Sequence, residues 1–217
     1  MDVLEGFAGQ AAITKRARQH NLIAAHPFDQ LYGIDLSTPH GAQLWQQTVI
    51  KEQPLLIVIG FPCTNWCLFQ RLNYAYRQDE LHRKRLVDTR MLHLMVWTME
   101  YQHKHGRLFL FENPLTSAIW RHHLMKTVYD LDGVSTSSGD ACSFGLVDDR
   151  GTPILKKHRW LCNDSQLLHA VGQLCPGHRL HARVQGNNTK RSGIYTDELA
   201  DAILNTLNIR KKQSMYH

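Results

Sequence analysis

The chain has 217 residues and a mass of 25.0 kDa, enough for one sizeable α/β domain. Hydrophobic residues make up 43% and charged residues 20%, which excludes a disordered or acidic tail-like protein. The net charge of +6 and the sequence pI of about 9.1 favour an anionic partner, nucleic acid first. The longest apolar run, Leu55 to Phe61, is far short of a membrane span. The start, Met1-Asp2-Val3-Leu4-Glu5, is acidic where a signal peptide is basic, and the five Cys are scattered. Both features predict an intracellular, reducing compartment rather than a disulfide scaffold.

In chain order, Val3 to Phe7 reads as a short strand running into Gly9, and Gln10 to His20 as a helix. Leu22 to Ala25 and Leu31 to Ile34 are candidate strands. Gly41 to Lys51 has a helical pattern with Ser37 or Thr38 as its cap. Leu55 to Ile59 is continuously apolar, which predicts a strand buried on both faces. A polar loop, Cys63 to Glu80, precedes a long helix from Leu81 to His103. Val87, Met91, Leu94, Met95 and Thr98 share one face of that helix. Arg107 to Phe111 is another buried strand, ending at Glu112-Asn113-Pro114. Beyond residue 133 the pattern turns to strand-like pieces, Ala141 to Leu146 and His158 to Cys162, and closes on a helix from Thr196 to Leu207. This order predicts a single domain with a mostly parallel, doubly wound α/β sheet. Residues 1–133 form one half, and 134–217 form a strand-rich, basic half.

In such sheets the site lies at the carboxyl ends of the strands. Three strand ends carry chemistry: Glu5-Gly6-Phe7-Ala8-Gly9, Gly60-Phe61-Pro62-Cys63 and Phe111-Glu112-Asn113-Pro114. A small-residue turn after the first strand lets a ligand approach the backbone, although a glycine there also serves as a plain turn. Neither GxGxxG nor GxxxxGK[ST] is present, which argues against a dinucleotide fold and a P-loop. Cys63, at the sheet edge, suits a nucleophile if donors or cations stabilise its thiolate. It equally suits a buried small side chain, or a CxxxC pair with Cys67. Glu112, at the end of a buried strand, must be paired, hydrated or functional, or else cap the following segment.

Taken together, the three strand ends resemble the DNA cytosine-C5 methyltransferases. Glu5 to Gly9 is similar to the family's Asp-x-Phe-x-Gly cofactor motif, Phe61-Pro62-Cys63 to its Pro-Pro-Cys loop, and Glu112-Asn113-Pro114 to its Glu-Asn-Val motif. The resemblance covers about residues 3 to 115. It implies a Rossmann-like class I fold and S-adenosylmethionine as cofactor. It also implies Cys63 as the nucleophile at cytosine C6, with Pro62 and Asn113 beside it. Glu112 would engage the cytosine edge with a raised pKa. Glu5, Phe7, Gly9, Asp29, Asp35 and Pro62 would line the cofactor.

The sequence departs from the family pattern at Phe61, Cys67 and Pro114, and the family's Gln-x-Arg-x-Arg strand is replaced by Lys156-Lys157-His158-Arg159. Only a few tens of residues separate Arg159 from Ile194, where the family keeps its target-recognition region. Specificity would then be low, or a partner subunit would supply it. Two rival readings are a nucleic-acid-binding protein without catalysis and a thiol-dependent enzyme acting on a free pyrimidine nucleotide.

Residues 150 to 191 hold eight basic side chains against Asp164 alone. This makes Lys156, Lys157, Arg159, Arg183, Lys190 and Arg191 candidates for phosphate contact, with DNA ahead of RNA. Trp66, Phe69, Tyr74 and Tyr76 are candidates for base stacking or for lid packing. Cys175, His178 and His181, with Cys162 upstream, form a weak zinc pattern in a chain that holds 14 His.

Overall fold

A computed structural model describes residues 1–214, with Arg71 and Ser214 described by their backbone alone. Its strands are β1 (Val3–Gly6), β2 (Leu56–Gly60), β3 (Leu108–Pro114), β4 (Ser135–Asp140) and β5 (Lys157–Cys162). Its helices are α1 (Ala12–Ala17), α2 (Pro39–Glu52), α3 (Gln70–Asn73), α4 (Gln78–Lys104), α5 (Met125–Tyr129), α6 (Ser165–Val171), α7 (Asn187–Arg191) and α8 (Asp197–Ser214).

Among the described residues the strands form one sheet in the order β1-β2-β3-β5-β4. β1, β2 and β3 are mutually parallel, and β5 runs against both β3 and β4. Four of the five strands therefore share one direction, and β5 alone is reversed. This is an α/β fold compatible with a Rossmann-like sheet. Because β5 inserts between β3 and β4, the two halves of the chain share one sheet.

The continuous apolar runs of β2 and β3 follow from burial on both faces. Leu4, Ile57, Ile59, Phe109, Phe111 and Leu161 point to one side, where Trp45 and Val49 of α2 and Met91, Met95 and Met99 of α4 cover them. Val3, Leu56, Val58, Leu110, Trp160 and Cys162 point to the other, against Ile13 of α1, Leu167 of α6 and Ile203 of α8. Helix α2 begins at Thr38, whose hydroxyl accepts the Gly41 N–H, with Pro39 in the first turn. It buries Gly41, Trp45 and Val49, spaced four apart.

Several elements differ from the sequence expectation. Leu31 to Ile34 is not a strand: Gln30–Tyr32 forms a 3₁₀ turn, because the Asp29 carboxylate accepts the Leu31 N–H and a left-handed Gly33 closes it. Leu22 to Ala25 meets β1 only through a bridge from Ala24 to Val3. Ala141 to Leu146 is a 3₁₀ turn, Ala141–Phe144, and the neighbouring strand is the preceding β4. That strand lies at the sheet edge and keeps Ser135, Thr136 and Ser138 exposed, so it carries no hydrophobic alternation. Val87 is 45% exposed, while Met91, Leu94, Met95 and Thr98 are buried as expected. β3 runs on through Glu112-Asn113-Pro114 because β5 supplies partners there, with Glu112 opposite Trp160 and Pro114 opposite His158. Among the described residues no helix is long and apolar enough to cross a membrane.

Candidate active site

The carboxyl ends of β1, β2 and β3 lie side by side, as their register requires: Gly6 is opposite Ile59, and Gly60 is opposite Glu112. The three motifs therefore meet at one sheet edge. After β1 the chain turns sharply, with Phe7 at φ 54° and Ala11 at φ 54°, both in the left-handed region and neither a glycine. Such backbone persists where its surroundings over-determine it. Here the Phe7 ring packs edge-on against Phe61 at 5.3 Å, and Phe61 stacks on Phe111 at 5.8 Å. Phe61 is the middle of this aromatic chain.

A cavity of about 480 Å³ opens between these ends and α4. Phe7, Ile34, Pro62 and Met91 give it apolar walls, and Asp29, Asp35 and Asp88 give it carboxylates. Asp35 is held below the usual aspartate range by hydrogen bonds from Ser37, whose backbone N–H reaches its Oδ1 at 2.8 Å. Asp29 fixes the first loop by accepting the Gly9 N–H on Oδ2 at 3.0 Å. A smaller recess of about 50 Å³ shares Phe7 and Gly60 with the large cavity and reaches Ala8, Gln10, Ala12, Glu112 and Tyr195.

Two expected cofactor residues do not line these spaces. Glu5 is 2% exposed and turns beneath the loop, where its Oε2 accepts from the Thr14 N–H and hydroxyl at 2.8 and 2.7 Å. Burial raises its pKa. Gly9 serves the loop through its bond to Asp29. Both are braces for the turn.

Cys63 follows β2 and opens a helical turn, its carbonyl accepting the N–H groups of Trp66 and Cys67. Its thiol is pushed above its ordinary value of 9.0, chiefly by burial. The Lys156 ammonium opposes that shift, and the Glu112 carboxylate adds to it. Pro62 lines the large cavity. Asn113 is fully buried and donates Nδ2 to the Phe61 carbonyl at 2.7 Å. That bond ties the Cys63 loop to β3 and makes Asn113 a positioning residue. No potential metal-ligand cluster among the described residues includes Cys63 or Cys67.

Glu112 is 6% exposed. Its Oε1 lies 2.5 Å from His158 Nδ1, and its Oε2 accepts the Tyr195 hydroxyl at 3.3 Å. Burial alone would raise its pKa. The charges of His158 and Lys156, with the hydrogen bonds from His158 and Tyr195, outweigh burial and lower it. The expected raised carboxyl pKa is thus reversed in direction. The contact follows from the sheet. Glu112 and His158 lie on the same face of adjacent strands, offset by two residues in the β3–β5 register.

Motif reading noted Lys156-Lys157-His158-Arg159 as one strand and Lys156 as a phosphate contact, but it brought none of His158, Lys156 and Tyr195 to Glu112. The alternation Lys157 out, His158 in was the one signal present, since β5 buries alternate positions at its start. Tyr195 pairs with nothing local, and only α8 docking across the sheet brings it to Gly60 and Glu112.

The six basic residues expected at a phosphate surface separate. Lys156 turns inward, its Nζ donating to the Ser192 carbonyl at 2.8 Å. Lys157 pairs with the buried Asp140 at 3.0 Å, and Arg191 pairs with Asp149. The Arg159 guanidinium lies 5.5 Å from the Trp120 ring centroid. Arg183 and Lys190 are exposed. Of the loop aromatics, Trp66 is buried, while Phe69 and Tyr76 stand out in solvent. Cys162 is fully buried in the core between β5 and α6, its sulfur accepting the Asp164 N–H, and this removes it from the zinc pattern.

No protein-family model matches this chain, and no curated protein matches its sequence.

Proposed function

We propose that the chain is a cytosine-C5 methyltransferase-like enzyme of the Rossmann-like class I type. It would transfer a methyl group from S-adenosylmethionine to cytosine in nucleic acid, DNA before RNA, through a Cys63 adduct. The observation that carries this reading is the meeting of Cys63, Glu112 and the Phe7 turn at one edge of a mostly parallel sheet, beside a cavity of about 480 Å³. That volume falls within the roughly 300–1,000 Å³ typical of small-molecule sites. Apolar walls beside the Asp29 and Asp35 carboxylates fit an adenosine, whose base is apolar on its faces and whose ribose hydroxyls donate. The recess that shares Phe7 and Gly60 fits the amino-acid end and leads toward Glu112.

When bound, the sulfonium supplies an electrophilic methyl group. The chain's residues do the rest. Cys63 would pass its thiol proton to a solvent base, and its sulfur would add to cytosine C6 as N3 takes up a proton, which makes C5 nucleophilic. The Glu112 carboxylate accepts from the exocyclic amine, and the proton held between His158 and Glu112 serves N3. Lys156 offsets the charge of the thiolate. After methylation the C5 proton leaves to a base, the C6–sulfur bond breaks, and Cys63 is restored. In a duplex the base must leave the stack to reach Cys63. The exposed Phe69 and Tyr76 are available to stack on it or its neighbours.

A second reading, a nucleic-acid-binding protein without catalysis, is favoured by the departures at Phe61 and Pro114 and by the short stretch between Arg159 and Ile194. Incubation with labelled S-adenosylmethionine and DNA or RNA containing 5-fluorocytosine separates the two. The enzyme reading expects a covalent adduct that disappears in Cys63→Ser. Intact nucleic-acid binding with no cofactor binding by calorimetry selects the second. Reaction with free nucleotides but not polymers would move the substrate to the monomer.

A further inference from the structure

We propose that Cys142, Cys175, His178 and His181 form a closed structural zinc site that staples the chain between α6 and α7. Each residue offers one ligand atom, and the four atoms lie within 4.8 Å of one another. Cys175 Sγ is 3.4 Å from His178 Nδ1 and 3.4 Å from His181 Nε2. A tetrahedral zinc with Zn–S of about 2.3 Å and Zn–N of about 2.05 Å sets adjacent sulfur and nitrogen ligands about 3.5 Å apart, so these separations are those of ligands around one ion.

The cluster gathers the donor types that zinc takes: Cys175 faces two imidazole nitrogens and a second cysteine sulfur. The tight Pro176-Gly177 turn, where Gly177 sits at φ 97°, folds the chain so that His178 returns to Cys175. Asp140 supplies an outer shell: its Oδ2 accepts the Cys175 N–H at 2.9 Å, and its Oδ1 takes the Lys157 ammonium.

Four protein ligands of the Cys₂His₂ type leave no open position, so the ion would be structural. The place explains the need. Residues 172–186 contain no helix or strand, and the core beneath them is a small cluster of Ala141, Leu146 and Ile154 with Ala182 against it. The metal would anchor this span to the turn after β4. The span leads directly to Arg183, Lys190 and Tyr195. The inference stands on these four residues alone and does not depend on the methyltransferase reading.

The test uses the full chain, purified without chelator. Mass-spectrometric metal analysis should find about one zinc per chain. Cobalt exchanged for zinc should give intense visible bands of tetrahedral Co(II) and a near-ultraviolet thiolate charge-transfer band. Cys142→Ser and His181→Ala should lose the stoichiometric metal, while Cys162→Ser should keep it. Because the ligand variants can unfold, titration of the folded wild-type protein with a mercurial thiol reagent is the second measurement, and it should release zinc in step with cysteine modification. No stoichiometric zinc, a weak octahedral cobalt spectrum, a Cys142–Cys175 disulfide in the purified protein, or metal loss on Cys162→Ser would each overturn the proposal.

Discussion

His158 Nδ1 and Glu112 Oε1 are 2.5 Å apart, both side chains almost wholly buried, at the carboxyl end of the central strands. An ionised carboxylate held this way depends on its partners, since a buried charge left unpaired is costly. His158→Ala is expected to destabilise the protein by about 3–5 kcal/mol in urea unfolding. Glu112→Gln added to it should recover part of the loss, because the double variant buries no unpaired charge. A single variant as stable as the parent would contradict the ion-pair account.

The same carboxylate sets the reactivity of Cys63. Burial, then Glu112, hold the thiol above 9.0, and Lys156 pulls it down. Glu112→Gln should therefore speed alkylation of Cys63 by iodoacetamide at mildly alkaline pH, and Lys156→Ala should slow it. The profile of rate against pH should shift to lower pH in the first variant and to higher pH in the second. Identical profiles would separate Cys63 electrostatically from both groups.

Acid sensitivity has a definite sign. Glu112 is depressed below its ordinary 4.5 in the folded chain, and Asp201 below its ordinary 3.8, the latter chiefly by its hydrogen bond from Arg16. A depressed folded pKa means stability that is present above the unfolded value and lost as pH falls through the folded one. Thermal unfolding should show a falling midpoint below about pH 4.5. Asp201→Asn, which removes the α8 anchor to Arg16 and His20, should be less stable at neutral pH and lose less on acidification. Parallel acid curves would count against this coupling.

Gly41 tests the wall of the large cavity. A Cβ there would sit 2.0 Å from the Asp35 carbonyl oxygen, which is backbone and cannot swing aside. Gly41→Ala should cost about 1–3 kcal/mol, the usual scale of overpacking. On the proposed reading it should also weaken S-adenosylmethionine binding by calorimetry, because Asp35 moves with its backbone. Retained affinity in a destabilised variant would take Asp35 out of the site.

Arg183 and Lys190 are exposed outside the strands, whereas the exposed Lys157 of β5 is paired with Asp140. On the proposed reading, changing both to Ala should weaken DNA binding and flatten its dependence on salt, by up to about 0.9 in logarithmic slope for each phosphate no longer neutralised. Lys157→Ala should act mainly on stability, through Asp140. An unchanged slope in the double variant would mean that phosphate is bound elsewhere.

Residue pattern alone makes the two-faced burial of β2 and β3 legible, because an unbroken apolar run of strand length has polar neighbours on neither side. It also determined the capped start of α2 and the placement of Cys63 and Glu112 at strand ends. Local chemistry fixes these features. It misread Leu31 to Ile34, where a carboxylate cap overrode apolar character, and β4, where an edge position removed the alternation that marks a strand. Packing between distant segments sets what surrounds Glu112. His158 reaches it through a reversed strand 46 positions away and Tyr195 through α8 docking 83 positions away, so no spacing in the chain encodes the pair. It likewise exchanged Cys162 for Cys142 beside Cys175, since Cys162 points into the core and Cys142 follows the edge strand toward the histidines. Charge went the same way. The basic segment was visible as composition, but which cations face solvent depends on Asp140, Asp149 and Trp120, acids and a ring that folding alone brings near.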